Sequence, residues 1–494
     1  MSWRVTLALC GLALAALAVS VLVASRAPNV APTALRPLLD ERHWKPDRVD
    51  AITIARPGHP TLRLVREGDG WIEREPSGLA VDPFLVNAAL EAAGALRVSR
   101  AVAPEQPEVG GSGGRAGLSG STSLAALGLD PPEAVVTFSG AEGGTTLRLG
   151  RPGVAGRAFV QLVESGHGTA VPSTALPTAG VAVVGQELHD AILRRDPSQW
   201  RLRSLLDQAG AETQRLEFEG GGTRMRLVRR GPRWTMEAPV ATRADQAAVA
   251  SYLDAIARSE CAGFLEDLAD ESETTLAKFG LATPVGRFTM AQDASRGSAS
   301  EPAPQAVRTL FVGAPVAVGG SDRFGLLDGH PTLLRLDAAM LKALFPNPAL
   351  LVDPTATGIA AADVRSIRLS GPAGSFTLAR DLDRWTCVED ANATVPTKAV
   401  EELLRRLTMA RAGSIVLQPL PRDRIVGRIE LRGFDGASLA GIDIAIDGAR
   451  ANCALDAGDG VARLFPVAQG PDLTPAAYGA TIARPVDSPP PSHP

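Results

Sequence analysis

A Gly/Ser-rich stretch holds two short motifs that could carry chemistry. Gly110-Gly111-Ser112-Gly113-Gly114 has the spacing of a nucleophile elbow, in which a strained strand-to-helix turn exposes the serine hydroxyl. The overlapping Gly111-x-Gly113-x-x-Ala116 resembles a dinucleotide-binding loop, which requires a preceding strand, a following helix and an acidic partner. The surrounding sequence offers neither context. We interpret the stretch as a linker, and we predict no catalytic and no cofactor-binding residue.

Metal sites need imidazole, thiolate or carboxylate groups at close spacing, and the sequence offers few candidates. The six histidines are His43, His59, His167, His189, His330 and His493. No two of them have the i, i+2 or i, i+4 spacing of metal ligands, so we predict solvated surface positions for them. The acidic run from Glu266 to Glu271 is more typical of a solvated helix face, and Asp456 and Asp459 are more typical of turns than of a calcium loop. The sequence therefore predicts no metal site and no cofactor.

Three arginines recur at one position relative to three tryptophans. Arg66, Arg229 and Arg380 stand five residues before Trp71, Trp234 and Trp385. They could line a repeated site for an anion or a protein partner, or each could stack on its tryptophan or extend along the hairpin. Because the neighbouring apolar residues recur just as strictly, we predict that this signature is structural, with the tryptophans in a hairpin–helix core.

The tryptophan register extends without a gap for about 30 residues and predicts a repeated β-β-α unit. Apolar residues stand nine and seven positions before the tryptophans: Leu62 and Leu64, Met225 and Leu227, Phe376 and Leu378. Their spacing of two residues is that of a half-buried strand. Apolar residues also follow at 15, 19 and 22 positions: Val86, Leu90 and Ala93; Val249, Leu253 and Ile256; Val400, Leu404 and Leu407. Steps of four and three residues mark one face of a helix.

Strand patterns separated by Gly-containing turns then predict a four-stranded meander in each copy. Short closing helices are expected near Gln186 to Leu193 and near Ala338 to Leu344. The predicted fold class is α+β: three tandem modules, each a Trp-containing hairpin plus helix followed by a small antiparallel meander, after an N-terminal transmembrane helix. The predicted segments are a cytoplasmic N-terminus (1–4), an anchor (5–24), a linker (25–49), module 1 (50–205), module 2 (212–355), module 3 (362–480) and a Pro-rich disordered tail (481–494).

The anchor is predicted from an uncharged run, Val5 to Ala24, which as a helix would span the ~30 Å hydrocarbon layer of a bilayer. Arg4 before it indicates a cytoplasmic N-terminus. A cleaved signal peptide is the alternative, although the run exceeds the usual signal core of about 7–15 residues. Both interpretations place the rest of the chain outside the cytoplasm. We expect a single-pass protein of the inner membrane with most of its mass in the periplasm.

Length and charge limit the remaining possibilities. The 494 residues are enough for roughly three domains of ~150 residues each. The formal net charge of −4 lacks the basic excess that phosphate contacts require, so we expect no nucleic-acid partner. Cys261, Cys387 and Cys453 leave two possibilities open, one disulfide plus a free thiol or three buried thiols.

Several of these residues resemble a known family. The Trp-containing hairpin with its capped helix is followed by Gly128-Leu129-Asp130-Pro131 and by a strand that ends Leu147-Arg148-Leu149-Gly150. The second copy has Phe279-Gly280-Leu281-Ala282-Thr283-Pro284 and Leu310-Phe311-Val312-Gly313, whereas the third lacks the Gly-Leu-x-x-Pro element. Together they resemble the bacterial envelope family catalogued as domain of unknown function 4340.

The resemblance implies a membrane-anchored accessory role near ABC-type export or gliding-motility transport components, and it implies no reaction. We therefore expect a non-catalytic accessory or scaffold subunit, and we expect its protein partners to be subunits of an ABC-type transporter. Two other hypotheses stay open. One is a ligand-binding or glycan- or lipid-modifying envelope protein with its site between modules, and the other is a periplasmic spacer.

Overall fold

The computed structural model describes residues 35–39, 44–102, 123–141, 143–163, 180–292, 306–382, 384–447 and 452–481. The chain divides into two compact units, Met1–Leu202 and Arg203–Pro494. Among the described residues, the first unit holds one large antiparallel sheet and the second unit holds two. Each unit is considered by itself below.

The first sheet has the strand order β4-β3-β2-β7-β8-β9-β10-β6. Its strands are β2 (Ala51–Ala55), β3 (Leu62–Glu67), β4 (Gly70–Glu75), β6 (Arg100–Val102), β7 (Ala134–Gly140), β8 (Gly143–Pro152), β9 (Arg157–Val163) and β10 (Val181–Gly185). Strands β1 (Arg36–Pro37) and β5 (Arg97–Val98) pair separately. The helices are α1 (Pro83–Gly94) and α2 (Glu187–Leu193), with 3₁₀ turns at Pro46–Arg48 and Pro197–Trp200.

Helix α1 shows why this half of the sheet has a core. The Asp82 carboxylate accepts a hydrogen bond from the Phe84 amide at 2.9 Å, and Pro83 occupies the first helical position. Both features favour helix initiation. Val86 and Leu90 lie on one face of α1 and pack against Trp71 in the same buried cluster. The helix therefore covers one face of the sheet.

The second sheet has the order β14-β13-β12-β11-β16-β17-β18-β19-β15. Its strands are β11 (Thr213–Gly220), β12 (Thr223–Arg230), β13 (Arg233–Ala238), β14 (Thr242–Arg243), β15 (Gly263–Asp267), β16 (Gly286–Gln292), β17 (Ala306–Pro315), β18 (Arg323–Leu327) and β19 (Thr332–Leu336). Its helices are α3 (Gln246–Ala257), α4 (Glu273–Lys278) and α5 (Ala338–Leu344), with a 3₁₀ turn at Pro348–Leu351.

The third sheet has the order β22-β21-β20-β24-β25-β26-β27-β23. Its strands are β20 (Ser366–Gly371), β21 (Gly374–Asp381), β22 (Arg384–Cys387), β23 (Ser414–Val416), β24 (Ile425–Arg432), β25 (Ser438–Asp447), β26 (Asn452–Asp456) and β27 (Ala462–Pro466). Helix α6 (Thr397–Thr408) packs on it, and 3₁₀ turns lie at Ala361–Asp363, Arg422–Arg424, Val467–Gln469 and Pro475–Tyr478. Cys261, Cys387 and Cys453 are buried free thiols.

The predicted α+β fold class was wrong, because antiparallel sheets dominate the described residues. The prediction separated each Trp-containing hairpin from its meander. It omitted the strands that join them, β2, β11 and β20. Strand β2 pairs with β3 on one side and with β7 on the other, and β11 and β20 do the same in their sheets. Hairpin and meander are therefore parts of one continuous sheet. The central strand provides hydrogen-bond partners for the backbone groups of the strands on both of its sides.

The predicted transmembrane helix at residues 5–24 lies outside the described residues. Within the part of the chain that the structure describes, no helix combines the length and the apolar character needed to cross a membrane. The Pro-rich tail beyond Thr481, and the motifs between residues 110 and 116, also lie outside the described residues.

Candidate functional site

The recurring arginines and tryptophans face each other across the three hairpins. The directly opposed pairs are Arg66 with Trp71, Arg229 with Trp234, and Arg380 with Trp385. The guanidinium carbon lies 5.2 Å from the ring centroid in the first pair and 5.6 Å in the third. All three tryptophans are at most 7% exposed. These are cation–π distances at a core boundary.

Two of these arginines also hold the segment that leads into the first strand of their sheet. Nη1 of Arg66 donates to the carbonyl oxygen of Asp47 at 2.9 Å, and Nη1 of Arg229 donates to the carbonyl oxygen of Ala211. Both acceptors lie just before the strand that joins hairpin and meander. The arginines are thus engaged with their own module, which favours the structural interpretation of the signature.

The Gly-Leu element packs against a glycine near the end of the second strand that follows it. This glycine is Gly150 of β8 in the first sheet and Gly313 of β17 in the second. Gly128 and Gly280 each have φ +68°, a left-handed conformation that favours glycine. A Cβ on Gly150 would lie 2.5 Å from the carbonyl oxygen of Leu127, and one on Gly313 would lie 2.3 Å from that of Phe279. The motif is therefore a backbone clamp that fastens a turn to the sheet.

Each clamp also contributes to a small apolar cluster. The cluster lies on the face opposite α1 in the first sheet and opposite α3 in the second. Leu127 and Leu129 pack with Val181 in the first sheet, and Leu281 packs with Leu326 and its neighbours in the second. In the third sheet, Ala445 pairs with Ile425 at the place of Gly313, one residue after the strand's last core residue. A methyl group at this position leaves no room for the clamp. The third copy thus lacks both the Gly-Leu element and the glycine against which that element packs in the other two copies.

His189 is 1% exposed, so its predicted surface position was wrong. It lies on the sheet-facing side of α2, where Nε2 is 3.1 Å from the carbonyl oxygen of Phe159. Its Nδ1 has no hydrogen-bond partner among the described residues. Burial lowers the pKa of His189 below its ordinary value, so the neutral form is favoured. His59 is exposed and His330 is partly exposed, whereas His43, His167 and His493 lie outside the described residues.

The acidic run differs from its predicted place on a helix face, whereas Asp456 lies at the start of a turn, as predicted. Glu266 and Asp267 end strand β15 rather than forming a helix face, and Asp267 accepts a hydrogen bond from Thr332 at 2.8 Å. Asp456 is only 6% exposed and accepts from the Gly458 amide at 2.8 Å. In the described ranges, no group of three or more His, Cys, Asp or Glu side chains could hold a metal ion.

The second unit contains a polar network that joins its two sheets. Arg463, with no exposed surface, donates to the carbonyl oxygen of Asp353 at 2.9 Å and to both carboxylate oxygens of Asp459. Thr242 of the second sheet donates to the same carboxylate at 2.5 Å. Sequence reasoning missed this network because Asp353 and Thr242 lie more than 100 residues from Arg463.

A second group of contacts surrounds the network. Nε of Arg243 donates to Asp353 at 3.0 Å, and Nη2 of Arg411 donates to Asp245 at 2.6 Å. Asp245 also caps helix α3 by accepting from the Ala247 amide at 3.0 Å. Burial raises the pKa of Asp245, but the bonds from Arg411 and from the helix amides outweigh it, and the pKa is lowered overall. One carboxylate therefore both starts a helix and joins two sheets.

The outer face of the second sheet, opposite α3, is rich in arginine. Side chains alternate between the faces of a strand, and Leu216, Phe218 and Met225 occupy the buried face. The residues of opposite parity form what we call the arginine face: Arg215 of β11, Arg224, Arg226 and Arg230 of β12, Arg233 of β13 and Arg287 of β16. A hollow of about 450 Å³ lies at its end, lined by Glu219, Arg224, Arg287 and the backbone of residues 220–222 and 284–286.

Comparison with known proteins gives a family. The model described as "Domain of unknown function (DUF4340)" matches residues 116–273 and, again, residues 234–424. Together the two matches cover more than half of the chain. The chain belongs to this family. No curated protein matches, and no solved structure matches.

The DUF4340 matches are out of register with the sheets. The first match includes β7 to β10 of the first sheet and ends after α3, and the second begins within β13 and ends just before β24. Each match therefore runs from one sheet into the hairpin and helix of the next. Both matches contain a Gly-Leu clamp, at Gly128 and Gly280, so the structural role of this element belongs to the recognised part of the chain.

Proposed function

We propose that this protein is a non-catalytic accessory or scaffold protein that presents its sheets to a protein partner. We further propose that the partner is part of an ABC-type transport system of the cell envelope. The family resemblance supports this second step. The location rests on the sequence pattern of residues 5–24 and stays a prediction.

The observation that carries the proposal is the network around Arg463. It joins two large sheets within one compact unit, through a fully buried cation and hydrogen bonds from both sides. Tandem modules fixed in this way create an extended surface of defined geometry rather than a single polar cleft. Arg463 and Asp459 do converge between two modules, but they are bonded to each other. This pairing favours a scaffold over a ligand site at that place.

The test is co-purification of the tagged full-length protein from gently solubilised native membranes, followed by mass spectrometry. We expect near-stoichiometric recovery of transporter subunits with the wild type and a loss of at least tenfold with Arg463→Leu, which disturbs the geometry between the sheets. Arg428→Leu is the matched control, because Arg428 is half exposed and pairs with Asp443 on the surface. Recovery of the protein alone would contradict the proposal.

A further inference from the structure

We propose that the arginine face of the second sheet is the docking surface for an acidic surface of the protein partner. This inference rests on the proposed function and adds the location of the contact and the charge of the partner. It is argued from the charge balance of the face, from the surroundings of its guanidinium groups and from the glutamates placed among them.

The arginine face carries more cations than its own glutamates can pair. Glu237 lies 2.8 Å from Arg230 and 3.5 Å from Arg226, and Glu217 lies 2.9 Å from Arg224. Glu219 stands between Arg224 and Arg287 in the strand register. Six arginines thus face three glutamates, in a chain whose formal net charge is −4. The excess of positive charge is local and is complementary to an acidic partner.

One pair of arginines is placed with like charges directly opposed. Arg230 and Arg233 face each other across the β12–β13 hairpin, and both residues are exposed. Like charges directly opposite each other destabilise an antiparallel pair. Glu237 lies on one side of Arg230 only, so a carboxylate supplied by a partner would relieve the repulsion. Arginine binds carboxylates in a planar, bidentate manner that suits such a contact.

Two other guanidinium groups are partly withdrawn from water. The Nε atoms of Arg215 and Arg226 are buried without a hydrogen-bond partner among the described residues, although Arg226 has its ion pair with Glu237. Both side chains therefore lie along the sheet with their Nε edges shielded. A carboxylate placed over the face would interact with these two cations in surroundings that screen charge less than bulk water does.

The arrangement favours a protein over a phosphate-rich surface. Glu217, Glu219 and Glu237 are interspersed among the arginines, and each would repel a lipid headgroup or a nucleic-acid backbone. A protein can place basic groups opposite these glutamates and acidic groups opposite the arginines, which is how patterned interfaces gain specificity. The corresponding face of the third sheet lacks this excess, because Arg428 lies 2.8 Å from Asp443 and Arg432 lies 3.8 Å from Glu430.

The experiment uses the full chain in its native cells, with a photo-crosslinking benzoylphenylalanine in place of Thr235 on the arginine face. The same residue in place of Ser375, an exposed position of the third sheet, is the matched control. We expect a protein adduct from the Thr235 position whose crosslinked peptides have a net negative charge. The adduct should fall at least tenfold in Arg230→Glu/Arg233→Glu and persist in Arg428→Glu. Unchanged thermal unfolding of both variants would show that folding is intact.

The outcomes separate this inference from the proposed function. A partner captured from Ser375 and not from Thr235 would overturn the arginine face and leave the accessory role standing. An adduct from Thr235 that contains lipid or nucleic acid instead of protein would overturn the charge argument. An adduct from Thr235 that survives the double charge reversal would do so as well. If neither position captures a protein and co-purification also fails, both proposals fall together.

Discussion

Arg463 donates to both carboxylate oxygens of Asp459, at 3.0 Å to Oδ1 and 2.8 Å to Oδ2, from a position without exposed surface. Burial raises the pKa of Asp459, but the hydrogen bonds from Arg463 and Thr242 outweigh it, and the pKa is lowered overall. Asp459 therefore stabilises the folded state as an anion. Through its bonds with Thr242 and with the carbonyl oxygen of Asp353, the pair links the third sheet to the second.

We predict that Arg463→Leu lowers the free energy of unfolding by about 3–5 kcal/mol, because it leaves a largely buried carboxylate without its cation. Leucine is the natural replacement, since Leu334 pairs with the edge strand of the second sheet as Arg463 pairs with that of the third. Calorimetric unfolding of the full chain measures the loss. Arg428→Leu, which removes a surface pair, should cost about 1 kcal/mol or less; equal losses would refute the prediction.

The same pair predicts a pH dependence. The pKa of Asp459 is lowered in the folded state, so its stabilising contribution is present above its ordinary pKa and is lost as the pH falls through the lowered value. The wild type should lose stability on acidification below about pH 4, and Arg463→Leu should lose less over the same interval. Melting temperatures recorded between neutral and acidic pH compare the two slopes. Parallel slopes would contradict this assignment.

A second buried ion pair offers a comparison between modules. Arg201 donates to Glu73 at 2.6 Å, and both side chains are at most 3% exposed. The second sheet has Met236 at the place of Glu73 and Val352 at the place of Arg201, as their positions after Trp234 and opposite Ala244 indicate.

We predict that Arg201→Val alone destabilises the first unit by about 3–5 kcal/mol, because the buried Glu73 side chain is left without its cation. Adding Glu73→Met, which copies the second sheet, should restore wild-type stability or exceed it. Denaturant titrations followed by tryptophan fluorescence test both variants, since Trp71 belongs to the same core. A double variant no more stable than the single one would exclude this account.

The glycine of the clamp gives a prediction about packing. Gly313→Ala would place a methyl carbon 2.3 Å from the carbonyl oxygen of Phe279, so we expect a loss of about 1–3 kcal/mol. Gly263→Ala is the control, because Gly263 also lies in a strand and nothing stands within 4 Å of its added Cβ. It should be neutral or slightly stabilising. Thermal unfolding distinguishes the two variants, and similar melting temperatures would count against a clamp.

The burial of His189 leads us to predict a second, smaller dependence of stability on pH, in a higher pH range than that of Asp459. Burial lowers the pKa of His189 from 6.5, so the unfolded chain binds a proton more readily than the folded chain. Stability should be fully present above the ordinary pKa and decline as the pH falls from 6.5 towards the lowered value. His189→Met copies Met340, the buried residue at the same position of α5. This variant should lack the decline between pH 7 and 5, whereas persistence of the decline would assign it to another group.

The sequence predicted local features well because they depend on nearby residues. Each hairpin lies where its tryptophan register placed it, and α1, α3 and α6 carry the expected apolar faces. The joining strands were missed, because a five-residue strand such as β2 is defined by partners 12 and 86 residues away. The Gly-Leu element was visible as a motif, but its role depends on the later contact with Gly150 or Gly313. Arg463 was not singled out at all, since a buried arginine and a surface arginine look alike in a sequence.

The offset between the family matches and the sheets has a practical consequence for recombinant work. A fragment cut at residues 234 and 424 would separate β13 from β11 and β12, and it would remove β24 to β27 from β20. Both cuts expose strand edges, which promote aggregation. A fragment from Arg203 to Thr481 retains two whole sheets and the carboxylate that fastens them. Insolubility of the shorter fragment would therefore be a consequence of the positions of the two cuts. It would give no information about the function of the intact protein.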